Sequence, residues 1–290
     1  MIELNNAFLK VGIKKRGAEI CSLYHKAAAI EHIWQGDSAV WPWHAPNLFP
    51  IVGGLINNQV IIDEKTYTMN RHGFARASDF VLIESSGTHA IFSLRFNEET
   101  LQSYPYRFEF QLVYHLDGRH LTCLQKVINL ENREILFSVG GHPAFNAPFF
   151  PNEAYEDYYL AFSNSENLLA HQLSPAGYFN GTTQPIALDD GRLWLKKDLF
   201  NQDALVFKTL QSRAITLRSK NHDYGVQVSF PDYKSLGLWA KPGAPFVCIE
   251  PWLGYADQEN DTPFTIQQKE GMVRLAGGHV FESSINISIL

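Results

Sequence analysis

The chain has few cysteines and no long apolar runs. Its three cysteines, Cys21, Cys123 and Cys248, are widely spaced among 290 residues and form no CxxC pair. Neither a disulfide framework nor a zinc knuckle is therefore predicted. Residues 1–16 contain no apolar run of the signal-peptide kind, and no stretch is long enough to span a bilayer. We therefore expect a reduced, cytoplasmic protein without a membrane partner.

Positive charge and the common cofactor motifs are also scarce. The net charge of -6 argues against a nucleic-acid partner, because proteins that bind phosphate backbones usually carry a basic patch. The HExxH, GxGxxG, GxxxxGK[ST] and GxSxG patterns are absent. The spacing of His44, His72 and His142 matches no local metal motif. We therefore expect neither a metal nor another cofactor.

What the chain does contain is a two-residue alternation of apolar side chains. It runs through residues 108–116, is followed by the turn signal Asp117-Gly118, and continues in residues 121–130, which predicts a β-hairpin. The same period appears in three further segments: residues 92–96, residues 226–228 and residues 285–289.

Helical periodicity is rare in this sequence. Residues 98–102 predict one helical turn, and the polar segment 174–190 is expected to be a loop. Hydrophobic residues make up 45% of the chain, and no linker or repeat divides it, so residues 1–290 are expected to form one domain. Many strands and frequent turns predict an all-β fold, a large antiparallel β-sandwich.

Three segments combine residue types that suit chemistry. In the first, Glu250 follows an apolar run and precedes Pro251 and Trp252, so burial would strip water from its carboxylate. In the second, His142 follows two glycines, which permit close backbone approach, and precedes a proline that restricts its conformation. The alternative for an isolated histidine is a core imidazole bonded to a carbonyl. The third segment is 71–76.

Segment 71–76 places His72 between two arginines. Cations close to an imidazole lower its pKa, so His72 is expected to remain neutral and to act as a hydrogen-bond partner. Arg71 and Arg76 could instead belong to a solvated basic loop, and Arg76 could hold an anion such as a phosphate. The carboxylate, the two imidazoles and the tryptophans Trp41, Trp43 and Trp252 suit proton transfer on a sugar, although most tryptophans only pack.

Two further readings stay open at this stage. Asp203 is either a turn residue, a helix cap or a carboxylate directed at sugar hydroxyls, and the pattern does not decide among them. A glycoside-cleaving enzyme would need a second carboxylate across from Glu250, and Asp203 is the candidate for it.

The three segments together resemble the aldose 1-epimerase (galactose mutarotase) family, and most closely its LacX-type branch. The resemblance runs through nearly the whole chain. It is carried by residues 17–19, 33–37, 45–53, 71–76, 140–146 and 248–252.

The resemblance implies a galactose mutarotase-like β-supersandwich that binds a hexose or hexose phosphate and acts as a monomer or homodimer. It implies that Glu250 is the catalytic base at the anomeric hydroxyl, that His142 is the general acid at the ring oxygen, and that His72 supports the developing charge. Asp203 matches the substrate-binding aspartate. Among the remaining residues of the matched segments, those expected to contact the sugar are Arg71, Arg76, Asn146 and Trp252.

One position departs from the branch. Its members usually carry arginine where this chain has Gly54, so a cation near the sugar is missing. This departure leaves three alternatives to full activity open: slow turnover, preference for another sugar, and binding without catalysis. Arg71 and Arg76 are the residues that could compensate.

Overall fold

The computed structural model describes all 290 residues, and antiparallel strands dominate it. The first half of the chain contains β1 (Ile2–Asn5), β2 (Leu9–Ile13), β3 (Ile20–His25), β4 (Ile30–Glu31), β5 (Asn47–Leu48), β6 (Gln59–Ile62), β7 (Lys65–Thr68), β8 (Val81–Ser85), β9 (His89–Arg95), β10 (Phe108–Asp117), β11 (His120–Asn129), β12 (Ile135–Phe137), β13 (Val139–Gly141) and β14 (Ala144–Asn146). The second half contains β15 (Tyr158–Phe162), β16 (Leu168–Leu173), β17 (Phe179–Ile186), β18 (Arg192–Trp194), β19 (Leu205–Phe207), β20 (Ala214–Ser219), β21 (Gly225–Ser229), β22 (Ser235–Trp239), β23 (Phe246–Leu253), β24 (Val273–Leu275) and β25 (Val280–Ile289).

The helical elements are few and short. They are the α-helix α1 (Glu98–Ser103) and the 3₁₀ turns Ile56–Asn58, Ala75–Ala77 and Tyr155–Asp157. The side chain of Asn97 caps α1 by accepting a hydrogen bond from the Thr100 amide at 2.9 Å. None of these elements has the length of a membrane-spanning helix.

Two large sheets account for most of the strands. The nine-stranded sheet has the order β18-β15-β20-β21-β25-β11-β10-β9-β8. The eight-stranded sheet has the order β17-β16-β19-β22-β23-β13-β5, and β14 also pairs with β23. Polar contacts join the two sheets: Asn47 of β5 donates to the Tyr114 hydroxyl of β10 at 3.2 Å, and Gln125 of β11 donates to the Gly140 carbonyl of β13 at 3.0 Å. The predicted all-β antiparallel sandwich is confirmed.

The alternating segments form the core as predicted. β10 and β11 pair from Phe108 opposite Asn129 to Asp117 opposite His120, and the inward residues of β10 are buried at every second position. The alternation of β25 likewise buries Ile285, Ile287 and Ile289. Because burial of one face fixes which residues can be opposite each other, this register follows from the pattern.

The prediction of a loop over residues 174–190 is wrong in part. Residues 179–186 form β17, which pairs with β16 at the edge of the eight-stranded sheet. β17 is exposed over most of its length, so neither face imposes an apolar alternation. It also contains Pro185, a residue that sheets tolerate at their edges. A polar edge strand therefore has the composition of a loop.

Candidate active site

A cavity of about 190 Å³ brings together most of the residues that the sequence singled out. Its lining includes the three expected catalytic side chains, four expected sugar contacts and one of the expected stacking tryptophans, which are His72, His142, Glu250, Arg71, Arg76, Asp203, Trp252 and Trp41. They come from distant parts of the chain, and the eight-stranded sheet with its adjoining loops brings them to one place.

Glu250 lies near the middle of β23, where its neighbours in sequence explain its burial. Successive side chains of a strand point to opposite faces, so Glu250 and Trp252 share the face that lines the cavity, while Ile249 packs into the core. Only 1% of Glu250 is exposed. Burial, followed by the negative charge of Asp203, raises the pKa of Glu250 well above its usual value.

His142 occupies the short connection between β13 and β14. A side chain at Gly140 would meet the Pro251 carbonyl at 2.8 Å, so only glycine fits there. A side chain at Gly141 would meet the end of the Ile285 side chain at 2.6 Å and would force it to move. The ring of Trp41 stacks on the His142 imidazole with centroids 5.1 Å apart. Burial lowers the pKa of His142 to about 3, and the nearby charge of Arg76 adds to this effect.

His142 and Glu250 form a close pair. His142 Nε2 lies 3.1 Å from Glu250 Oε2, but the two atoms are not aligned as donor and acceptor, and Glu250 Oε2 has no hydrogen-bond partner. Burial favours the uncharged form of each group, which leaves the pair with one shared proton, held on Glu250. A substrate oxygen that approaches the pair therefore meets one group able to accept a proton and one able to donate it.

The backbone orients His72 and fixes its tautomer. His72 has a left-handed conformation (φ 67°), and its Nδ1 accepts a hydrogen bond from the Gly53 amide at 3.1 Å. In the neutral ring the proton must then be on Nε2. Burial lowers the pKa of His72 well below its usual value, and His142, Arg76 and Arg71 lower it further. His72 is therefore a neutral donor.

Arg71 enters the cavity between two glycines. A side chain at Gly54 would point at Tyr178 (3.3 Å) and at Arg71 Nε (3.7 Å), so the Arg71 side chain fills the space beside Gly54. On the other side, a side chain at Gly177 would lie 1.7 Å from Arg71 Nη2. Arg71 Nη2 also donates to the carbonyl of Ala176 at 3.0 Å. The turn between β16 and β17 therefore holds this guanidinium in place.

Arg76 and Asp203 are held by local contacts at the cavity wall. Arg76 donates to the Arg71 carbonyl at 2.8 Å, and its guanidinium lies over the ring of Trp43, 5.1 Å from the centroid. Asp203 has a left-handed conformation (φ 74°), and its Oδ1 accepts a hydrogen bond from the Ala204 amide at 2.8 Å. Trp252 Nε1 is buried without a hydrogen-bond partner.

Three residues from the sequence analysis do not line the cavity. The side-chain amide of Asn146 donates to the carbonyls of Glu31 (2.7 Å) and Ile33 (3.1 Å), so it ties β14 to the segment after β4. Trp43 packs under Arg76 in a neighbouring pocket. His44 lies 3.5 Å from Glu19, and its ring does not join those of His72 and His142.

Several residues around the cavity were given no role from the sequence. Trp239 contributes to the cavity wall. The sulfur of Cys248, which does not line the cavity, lies within 4.8 Å of one ligand atom each of His142 and Glu250. A buried ion pair supports the backbone of residues 53–56: Lys269 Nζ lies 2.8 Å from Asp257 Oδ1, and Asp257 Oδ2 accepts a hydrogen bond from the Ile56 amide. For Cys248, the one signal in the sequence was its two-residue spacing from Glu250, which places both side chains on one face of a strand.

Comparisons with known proteins agree on one family. A family model described as aldose 1-epimerase matches residues 1–288. Protein LacX, chromosomal, from Lactococcus lactis subsp. lactis is 37% identical over 262 residues, which cover 87% of each chain.

Two solved structures are similar over the full length. A galactose mutarotase related enzyme from Lactobacillus acidophilus has a TM-score of 0.94 and 34% identity, and the match covers 100% of this chain and 97% of that one. A galactose mutarotase-like protein from Lactobacillus casei ATCC 334 has a TM-score of 0.94 and 31% identity, with 100% of both chains covered.

Proposed function

The chain belongs to the aldose 1-epimerase family, and from this premise we propose that it interconverts the α and β anomers of a hexose. The observation that carries the proposal is the 3.1 Å approach of Glu250 to His142 in the wall of a cavity lined by sugar-binding residue types. Mutarotation needs one base and one acid on two oxygens of the same hemiacetal, and this pair supplies both.

The reaction moves two protons and changes no oxidation state. Glu250 as carboxylate takes the proton from the C1 hydroxyl while protonated His142 gives a proton to the ring oxygen, so the C1–O5 bond breaks and an aldehyde forms. Glu250 then holds the proton and His142 is neutral. After rotation about C1–C2 the two groups exchange roles, and closure onto the other face gives the second anomer.

The shifted pKa values favour one of the two proton arrangements in this cycle. The pair contains one proton both before and after ring opening, so no proton needs to come from solvent during turnover. The uncharged arrangement favoured by burial corresponds to the open-chain stage, with the proton on Glu250. Sugar hydroxyls and the neutral donor His72 would stabilise the charged arrangement that starts ring opening.

The other cavity residues would orient the sugar. Arg71 and Asp203 offer a donor and an acceptor to sugar hydroxyls, while Trp41 and Trp252 present aromatic surface to the apolar face of a pyranose. Because Arg71 fills the space beside Gly54, a cation is available despite the glycine at that position.

A second candidate substrate is a hexose 6-phosphate. Two guanidinium groups, Arg71 and Arg76, line the cavity, and arginine forks suit phosphate oxygens. The acid–base step would be unchanged, and only the contact at C6 would differ.

The test is the rate of anomer exchange, measured by NMR saturation transfer with purified protein. Glucose, galactose and the 6-phosphate of each are compared at equal concentration. We expect exchange above the spontaneous rate for at least one of the four, and the best of them identifies the substrate class. Tight binding by calorimetry without faster exchange of any sugar would contradict the proposal and indicate a sugar-binding protein.

A further inference from the structure

Cys248 is a buried thiol beside the His142–Glu250 pair that mutarotation does not use. It lies on the same face of β23 as Glu250, two residues away, and none of it is exposed. One ligand atom each from Cys248, His142 and Glu250 lie within 4.8 Å of one another. Neither of the other two thiols, Cys21 or Cys123, belongs to such a group.

These three ligand types are those that zinc prefers. Zn²⁺ binds cysteine sulfur at about 2.3 Å, and histidine nitrogen and carboxylate oxygen at about 2.0–2.2 Å, in a tetrahedron. Its ligand atoms are then separated by roughly 3.3–3.8 Å, as follows from those bond lengths. The 3.1 Å approach of His142 to Glu250 is already close to this range. Since the three ligand atoms lie within 4.8 Å of one another, a shift of at most about 1.0–1.5 Å would bring in the thiol.

The charge of the resulting complex also suits a buried site. Zn²⁺ would displace one proton from the Cys248 thiol and one from the shared proton pair, and both protons leave to solvent. The cation is then balanced by one thiolate and one carboxylate, so no net charge is buried. His142 and Glu250 both line the cavity, which gives the ion its way in.

We propose that Cys248, His142 and Glu250 form an inhibitory zinc site. The bound ion takes the two groups that move protons, so neither can act on the sugar. The zinc site itself does not depend on the proposed mutarotase activity, whereas its inhibitory effect does. Binding and inhibition are therefore measured separately.

Inhibition is tested with tag-free protein titrated with Zn²⁺ during anomer exchange on the best sugar. We compare the natural chain, Cys248→Ala and the matched control Cys123→Ala, which removes a buried thiol elsewhere in the core. We expect Cys248→Ala to keep its basal exchange rate and to need at least about 100-fold more Zn²⁺ for half-inhibition, on the scale of lost metal-site contacts. The control should be inhibited like the natural chain. Equal sensitivity of all three would overturn the proposal.

Binding is tested without turnover, using Co²⁺ as a spectroscopic substitute for zinc. In a Cys21→Ala/Cys123→Ala protein Cys248 is the sole thiol, so a thiolate-to-cobalt charge-transfer band can come only from this residue. We expect the band to appear with one equivalent of Co²⁺, to disappear on addition of Zn²⁺ and to weaken in Glu250→Gln. Absence of the band in the folded sole-thiol protein would refute the site even if the enzyme is active. Its presence in a protein without exchange activity would support the site and leave the function to its own test.

Discussion

Replacement of Gly177 by alanine should dislodge Arg71 from the cavity. The Cβ of alanine would lie 1.7 Å from Arg71 Nη2, whereas real Cβ contacts essentially never fall below 3.0 Å. The guanidinium must therefore move by the difference, at least 1.3 Å. Such a shift would break or weaken the 3.0 Å hydrogen bond to the Ala176 carbonyl and withdraw the cation from the sugar.

The expected effect of Gly177→Ala has two parts, a loss of stability and a weaker contact with the substrate. Gly177 has a φ of 80°, and the left-handed conformation costs a non-glycine residue about 1–2 kcal/mol, which lowers the free energy of unfolding. A lost hydrogen bond between a charged group and substrate costs about 1.5–3 kcal/mol, which raises KM about 10- to 150-fold. We expect kcat to change much less, because Arg71 does not belong to the proton-transferring pair.

The two parts are separated by a control in the same hairpin. Gly181 has a φ of 85°, but a Cβ there meets only Gln258 Nε2 at 3.1 Å. Gly181→Ala should therefore lower the melting temperature to a similar degree without raising KM. The assay is anomer exchange over a range of sugar concentrations, together with thermal melts. An unchanged KM in Gly177→Ala, or equal KM increases in both variants, would refute the role given to Arg71.

Three further predictions concern protonation and the buried ion pair. The exchange rate should be independent of pH between about pH 3, the lowered pKa of His142, and the raised pKa of Glu250. A change in the rate around pH ~6.5, the ordinary pKa of histidine, would argue against a shared proton. Burial lowers the pKa of His32 to about 3, so the unfolded chain takes up a proton that the folded chain refuses, and stability should fall as pH drops from ~6.5 towards 3. In urea titrations, the free energy of unfolding of a His32→Leu variant should fall less over this pH range. An unchanged pH dependence would contradict the role given to His32. Lys269→Met leaves Asp257 buried without its partner and should destabilise the fold by about 3–5 kcal/mol in denaturant titrations; a change below 1 kcal/mol would show that the pair carries no such cost.

The sequence predicts this fold well where one side of a strand is buried. The β10–β11 hairpin follows from an apolar alternation with a turn signal between its halves, and the structure has that pairing. β17 lacks a buried face, so its residues carry no alternation and read as a loop. The order of strands in each sheet depends on contacts between distant segments, which no local pattern records.

The sequence predicted the acid–base side chains of the cavity better than the residues that support them. Glu250, His142 and His72 stand in unusual local sequences, and the structure brings them together. Asn146 is in one of the same segments, yet its amide bonds to backbone carbonyls, because segment membership does not fix side-chain direction. Gly177 looks like an ordinary turn glycine, since its effect on Arg71 depends on a contact between residues over a hundred positions apart.

The most direct measurement compares catalysis with binding in Glu250→Gln, which keeps the shape of the side chain and removes its ability to accept a proton. Saturation-transfer NMR gives the exchange rate of the best sugar, and calorimetry gives its Kd. We predict a rate lower by about 10²- to 10⁴-fold and a Kd within about tenfold of that of the natural chain. Exchange at the natural rate in a folded Glu250→Gln protein would contradict proton transfer by this carboxylate.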